Sequence, residues 1–534
     1  MLARFTTTTK YETTTRCMSS SAAPSAACVW FRKGLRLHDN PALLEAINGS
    51  DTLYPVFCVD PTFYSPDAIG GNRIAFLLES LRDLDASLKS RNSRLIVLRG
   101  SPNDVLVSKM EEWNVSKLCF ESDTEPYAEA RDGRIKEAAE ALGVRVFSPV
   151  SHTLYDPNVL IAKNGGKAPL TMQSFQKVVD KAGPPPAPAA DPPSSLPPCG
   201  AVPSGEYLVP SLSDVGYGEE HMKESNKPVE GGETAALARL AKYMADEAWV
   251  ASFDKPKGNP TTFTPYPATT LLSPYLKFGC LSPRLFYAKL REVYNRRANH
   301  TKPPVSLYGQ LLWREFFYCA SVGIPNFGKM EGNPNCKQID WDTNDEFLQA
   351  WEAGRTGYPW IDAVMTQLRQ EGWMHHLARH AVACFLTRGD LYLSWESGAK
   401  VFDKYLLDAD WAINNANWQW LSASAFFSQY FRVYGPVSFP KKYDKDGAYV
   451  KKYLPVLANM PAKYVYEPWT APADVQKKAG CVVGVDYPAP IVDHATIHKT
   501  NIQRMKAAYD RNKTMNPSSG AASGVKRKGV EPAR

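Results

Sequence analysis

The chain has no C-x-x-C pair and no paired cysteine spacing. Its ten cysteines are scattered, which argues against a disulfide framework and suits a reducing compartment. No apolar run reaches the length of a membrane span. No G-x-G-x-x-G follows the first strand-like run, so the usual dinucleotide fingerprint is missing. Neither sign of charge dominates: the formal net charge is +7 and the pI near 8.7, which permits a nucleic-acid face without establishing one. Histidine is rare too, with nine residues in 534, so its distribution carries information.

Three of those nine stand in EGWMHHLARHAVACFLTRGD, residues 371 to 390. On a helical period His376 and His380 lie one turn apart on one face, whereas His375 is rotated by roughly 100°. Two imidazoles therefore share a site, as a hydrogen-bonded core pair, as metal ligands or as proton-transfer groups. The spacing is that of H-E-x-x-H zinc helices, but Leu377 stands where the Glu base belongs, and Arg379 would set a fixed positive charge beside a dication. No metal is expected.

From Cys28 the chain alternates short apolar runs, CVWF, LYPVFCVD, RLIVLRG, KLCFESD and VRVFSPV, with helical stretches. That pattern predicts βαβ units and a parallel, Rossmann-like sheet over residues 28–155. Asp39, Asn40 and Pro41 announce the first helix, as an N-cap followed by Pro at N1. Ten prolines between Pro184 and Pro210 mark an extended linker within residues 156–231. Beyond Gly232 the periodicity is helical, which predicts an all-α domain over residues 232–509. Residues 1–27, rich in Thr, Ser and Ala with Glu12 as the sole acid, read as a disordered leader or an organelle transit peptide. Residues 510–534 read as a disordered tail with a weak nuclear-import core at Val525 to Lys528.

Nine of the thirteen tryptophans fall between Trp313 and Trp420. Most should be core. Around Trp418 and Trp420, however, Asp408, Asp410, Asn414, Asn415 and Asn417 crowd an apolar segment. Buried carboxylates need partners, and Arg379 is an available cation. A large polar ligand would explain the amides.

VWFRKGLRLHDNPAL from Val29, TTLLSPYLKFGCLSPR from Thr269, LYGQLLWREFF from Leu307, the histidine stretch and DADWAINNANWQW from Asp408 occur in that order. Together they resemble the photolyase/cryptochrome family, and within it the animal-type (6-4) photolyases. The resemblance implies an α/β antenna domain joined by a long linker to an all-α domain that holds FAD. It implies Thr269, Thr270 and Ser273 toward the FAD phosphates, Gln310 at the cofactor, and Asp408 paired with Arg379 beneath the flavin. Asp410 would hydrogen-bond the flavin, and Asn414 would stand opposite N5, where insect light-sensing cryptochromes carry Cys.

The implied activity is light-driven repair of (6-4) photoproducts in UV-damaged DNA. His376 and His380, where cyclobutane photolyases carry Asn and Met, would face a flipped lesion, and one would donate a proton. An imidazole near its unperturbed pKa of about 6.5 suits that task. Lys257, Gln310, Trp313, Trp420 and Tyr434 would line the pocket. Trp418, Trp395 and Trp341 would carry electrons to the flavin, with Tyr392 near the middle one where animal-type members commonly hold a fourth Trp. Lys441, Lys442, Lys451 and Lys452 meet phosphates on one reading and solvent on the other. A folate or deazaflavin antenna stays open. So does the alternative of a signalling cryptochrome with transcription-factor partners. The expectation is a monomer without a membrane anchor, in the nucleus or, through its leader, in an organelle.

Overall fold

Five short strands near the N-terminus form one sheet, the first four buried almost throughout, as strands covered on both faces are, and the last a largely exposed edge. In the computed structural model, which describes residues 25–255, 259–261 and 269–515, they are β1 (Ala26–Phe31), β2 (Thr52–Val59), β3 (Ile96–Arg99), β4 (Lys117–Cys119) and β5 (Arg145–Phe147). All pairs are parallel in the order β3-β2-β1-β4-β5. The strand period of two divides β1 cleanly. Ala27, Val29 and Phe31 join the core shared with the helical domain, whereas Cys28 and Trp30 join the outer core. Helices α1 (Pro41–Ile47), α2 (Gly71–Lys89), α3 (Pro102–Glu112) and α4 (Pro126–Ala141) make the crossovers.

The Asn40 side chain caps α1 by accepting from the Leu43 amide, with Pro41 at the first helical position, as the residues predict. Its neighbours have a second task. Asp39 adopts the left-handed region with φ of 42°, a conformation an Asp tolerates. Its carboxylate accepts from Arg284 Nε and Nη2 at 3.0 and 2.8 Å and from the Ser282 hydroxyl. Glu233 accepts from the Leu37 and His38 amides at 2.8 and 2.9 Å. The loop after β1 is thus fastened to the helical domain by buried acids.

The expected linker is only partly extended. Its first third forms helices Pro157–Lys163 and Met172–Ala182, which pack on the helical domain, with the Phe175 and Phe316 rings 5.7 Å apart. Only the proline-dense part runs extended, and it covers the sheet near β2 and β3: Leu53 donates to the Pro198 carbonyl and Val97 to that of Tyr207.

The rest of the described chain is helical. Its second core is built around Trp351, Trp360, Trp395 and Trp418, all with no exposed surface. Both outer boundaries move from those expected. The first strand begins at Ala26 instead of Cys28, and the last helix, His494–Met515, continues past Tyr509. Contacts explain the extension: Arg511 pairs with Asp340, and the Asn512 side chain donates to the Gln338 carbonyl at 2.8 Å.

Candidate active site

The histidine stretch splits at a cap. His375 sits before the helix and accepts the Leu377 amide on Nδ1 at 3.2 Å, and the helix proper is His376–Cys384. His376 and His380 then share one face, their rings 6.0 Å apart and nearly perpendicular. The Tyr434 hydroxyl lies 3.4 Å from His380 Nδ1. His376 Nε2 is buried and has no hydrogen-bond partner among the described residues. Such an orphaned nitrogen is costly unless something fills the space before it.

All three imidazoles are harder to protonate than the sequence leads one to expect. Burial, then Lys255 and Arg379, push His375 down to about 4. Burial, then Lys255 and Arg388, push His380 down to about 3. His376 moves the same way, with burial first and Lys255 second. The expected near-neutral pKa is therefore corrected: in the free protein these rings are neutral at pH 7, because cations surround a poorly hydrated cluster.

One turn along the same helix, Arg379 takes both oxygens of Asp408, Nη1 to Oδ1 at 3.1 Å and Nη2 to Oδ2 at 3.0 Å. The Ser273 hydroxyl donates to Asp408 Oδ2 at 2.8 Å. Ser273 thus stands with the ion pair. The turn before it is pinned from behind, with the Thr269 carbonyl accepting from Tyr243 at 3.0 Å and the Thr270 carbonyl from Arg239 at 2.6 Å. Asn414 donates its amide to the Ala399 carbonyl and to Asp403 Oδ1, at 3.0 and 2.9 Å. Its carbonyl oxygen accepts from no described residue.

Asp410 does not join this group. Its carboxylate caps the helix Trp411–Leu421 at the Ile413 amide and accepts from the Tyr318 hydroxyl. His152 Nε2 approaches it at 3.9 Å. Burial opposes its charge, but His152, Lys33 and Arg314 hold the carboxyl far below the usual range. The side chain expected to hydrogen-bond the flavin thus has the Ile413 amide and the Tyr318 hydroxyl, both in the helical domain, as its partners.

The aromatic candidates form two groups. Trp313 and Trp420 meet edge to face at 5.6 Å, and Trp420 stacks on Phe427 at 5.6 Å. The Tyr434 ring stands edge-on to His380 at 6.1 Å. The Gln310 side chain donates to the Pro304 carbonyl at 3.3 Å, ahead of Trp313 on the same helix. Lys257 lies outside the described residues. Of the four lysines read as meeting phosphates or solvent, Lys441 pairs with Glu467 at 2.5 Å and Lys452 with Glu371 at 3.5 Å.

Trp418 and Trp395 are buried in the second core, and Trp341 lies at its edge. Tyr392 packs against Trp341 with tilted rings 4.9 Å apart, under the Arg504 guanidinium at 3.7 Å. A turn with Tyr392 at φ of 55° brings this ring, expected near the middle tryptophan, onto Trp341 and toward the C-terminal helix. Lys255, Asp403, Tyr318 and His152 escape a sequence reading. Only Lys255 has a signal, being two residues before Lys257, and burial, then Arg379, lower it to about 8.

A half-buried acid and cation, a hydroxyl, an outward amide carbonyl and an orphaned imidazole nitrogen suit the polar edge and phosphates of a flavin dinucleotide. Fold and site therefore define a class of protein built to hold a flavin dinucleotide. The family model described as DNA photolyase matches residues 27–193, and that described as the FAD binding domain of DNA photolyase matches 306–507. The chain belongs to the photolyase/cryptochrome family and binds FAD. It is 54% identical to the (6-4)DNA photolyase of Arabidopsis thaliana over 93% of this chain and 91% of that one. To Cryptochrome-1 of Rattus norvegicus it is 53% identical, over 90% and 82%. A class III photolyase from Agrobacterium tumefaciens shares the fold with a TM-score of 0.79 at 31% identity, over 92% of this chain and all of that one.

Proposed function

We propose that the protein is a light-driven (6-4) photolyase acting on UV-damaged DNA as a monomer. The observation that carries this reading is the face shared by His376 and His380, beside the pair Arg379 and Asp408. Reduced FAD, when bound, supplies a photoexcited electron to the lesion and recovers it afterwards. Arg379, Asp408 and Ser273 would hold its polar edge, with Asn414 facing it by the free carbonyl. Trp313, Trp420 and Tyr434 offer faces on which flipped bases stack, each worth about 1–3 kcal/mol.

The proton step falls to the histidines. If the Tyr434 hydroxyl donates to His380 Nδ1, that ring carries its proton on Nε2, and the unpartnered Nε2 of His376 is the atom left to face the lesion. Phosphodiesters and the electron gained by the lesion bring negative charge beside these imidazoles, which raises their pKa. A proton can then pass to the hydroxyl or amino group that must move between the bases, and return once it has moved.

An antenna chromophore, folate or deazaflavin, is proposed for the crevice at the carboxyl ends of β1 and β4, where strand order reverses. In support, the Phe63 and Tyr127 rings stand 4.6 Å apart near that end of the sheet. A transcriptional role with protein partners is the second reading, favoured by the identity with Cryptochrome-1. Nuclear residence is proposed from the basic run at Val525 to Lys528, with the organelle as alternative from the leader. The basic run and residues 1–24 of the leader lie outside the described residues.

The test is illumination of the purified, reduced protein with (6-4) and cyclobutane substrates in parallel. Restoration of the (6-4) substrate alone is expected. Comparable repair of cyclobutane dimers would overturn the assignment.

A further inference from the structure

Asn414 gives both of its amide hydrogens away, one to the Ala399 carbonyl at 3.0 Å and one to Asp403 Oδ1 at 2.9 Å. Partners tell an amide's nitrogen from its oxygen, and these two are both acceptors. The carbonyl oxygen is therefore the atom turned the other way. Ala399 and Asp403 stand one turn apart on the helix Trp395–Tyr405, and Asn414 on the helix Trp411–Leu421. The two helices approach closely, since a Cβ at Gly398 would come within 2.2 Å of the buried Trp418 ring. The pairing is thus built into the packing.

The Ala399 carbonyl accepts at any pH, whereas Asp403 titrates. Among the described residues no cation hydrogen-bonds its carboxylate: Arg73 gives Nη1 to the Asp403 backbone carbonyl and Nη2 to that of Ala409 at 3.4 Å. Burial pushes the carboxyl up to about 6, with Glu125 adding to the rise, while Arg73, the Asn414 hydrogen bond and Lys277 oppose it. The acid therefore changes charge just below neutral pH, and the repair chemistry described above does not use it.

We propose that Asp403 is a positioning residue for Asn414, holding the amide with its carbonyl oxygen toward N5 of the bound flavin and weakening that hold when it takes up a proton. Reduced flavin carries a hydrogen on N5 and oxidised flavin a lone pair, so an acceptor fixed there favours the reduced form. A carboxylate behind the amide strengthens the effect, because charge-assisted hydrogen bonds are about twice as strong as neutral ones and linked bonds polarise one another. The proposal rests on the placement of Asn414 at N5 in the reading above.

The midpoint potential of the bound flavin reads this directly, by spectroscopic redox titration of the flavin-loaded wild type, Asp403→Ala, Asp403→Asn and Asn414→Ala from pH 8 to pH 5, with free FAD titrated alongside. Relative to free FAD, the wild type's preference for reduced over oxidised flavin should fall about tenfold as pH drops through 6, a shift of about 30 mV for a two-electron couple. Asp403→Asn keeps the size and an acceptor but not the charge, so it should show the wild type's low-pH preference at every pH, without a step. Asp403→Ala should lie at or below that level. A step near pH 6 that persists in Asp403→Asn overturns the proposal, and so does an unchanged potential in Asp403→Ala. A merely structural role would move neither. Should the alanine variant lose its flavin, Asp403→Asn decides alone. If Asn414→Ala keeps the wild-type potential throughout, the placement at N5 falls and the proposal with it, an outcome distinct from the others.

Discussion

Arg379 and Asp408 meet fork to fork, at 3.1 and 3.0 Å, and Ser273 completes the carboxylate's partners at 2.8 Å. Three segments distant in sequence are joined at one acid. A bidentate pair fixes orientation as well as charge, so a flavin edge placed against it finds its partners already set.

Removing one partner strands the other. For a fully buried pair the cost is about 3–5 kcal/mol. The Arg379 side chain keeps 23% exposure, so about 1–3 kcal/mol is expected of Arg379→Ala after solvent screening. Flavin content and melting temperature should fall together. Protein that keeps both at wild-type values would show that the pair does not hold the cofactor.

His376→Ala should retain FAD and DNA affinity while losing (6-4) repair by at least 100-fold, the lower range of general acid catalysis at about 10²–10⁴. Purified protein lacking FAD would instead make His376 structural.

The histidine cluster also makes stability depend on pH. His375, driven down to about 4 by burial, Lys255 and Arg379, takes up a proton on unfolding wherever the pH lies between that value and the unfolded value of about 6.5. Its stabilising share is full above about 6.5 and falls as pH drops toward 4, by up to about 1.4 kcal/mol per pH unit. His380, lowered to about 3 by burial, Lys255 and Arg388, adds to the slope. Melting temperatures from pH 7.5 to 5 should decline, and His375→Asn should flatten the decline. An unaltered slope in that variant would falsify the assignment.

Photoreduction tests the aromatic chain. Trp418→Phe keeps an apolar ring in a fully buried slot but removes the more easily oxidised indole. Photoreduction of oxidised FAD should drop sharply, while chemically reduced protein still repairs. Wild-type photoreduction would remove Trp418 from the relay.

Tyr392 offers a finer measurement. Burial pushes its phenol up to about 12, and the neighbouring Arg504 only partly offsets that. Oxidising a phenol requires its proton to leave, so Tyr392→Trp should lengthen the life of the charge-separated state. A transient decay identical to wild type would place Tyr392 off the path.

Much of this architecture is local and therefore legible in the chain. Alternating apolar runs specify parallel strands, Asn40 and Pro41 specify a helix start, and the prolines from 184 to 210 forbid helix and central strand alike. The pairing of Arg379 with Asp408 was readable as well, since a buried acid needs a cation and Arg379 was available. Other features could not be read that way. Asp410 lies two residues from Asp408, yet it serves Tyr318 and a helix cap, because successive side chains at a helix start diverge in direction. Tyr392 sits three residues before Trp395 but packs on Trp341, since a left-handed turn reverses the ring. The sequence by itself determined which residue types and spacings exist, one helical turn between His376 and His380 above all. Only the tertiary structure decided their protonation, because a pKa is set by desolvation and by charges such as Lys255 and Arg388 that folding brings near.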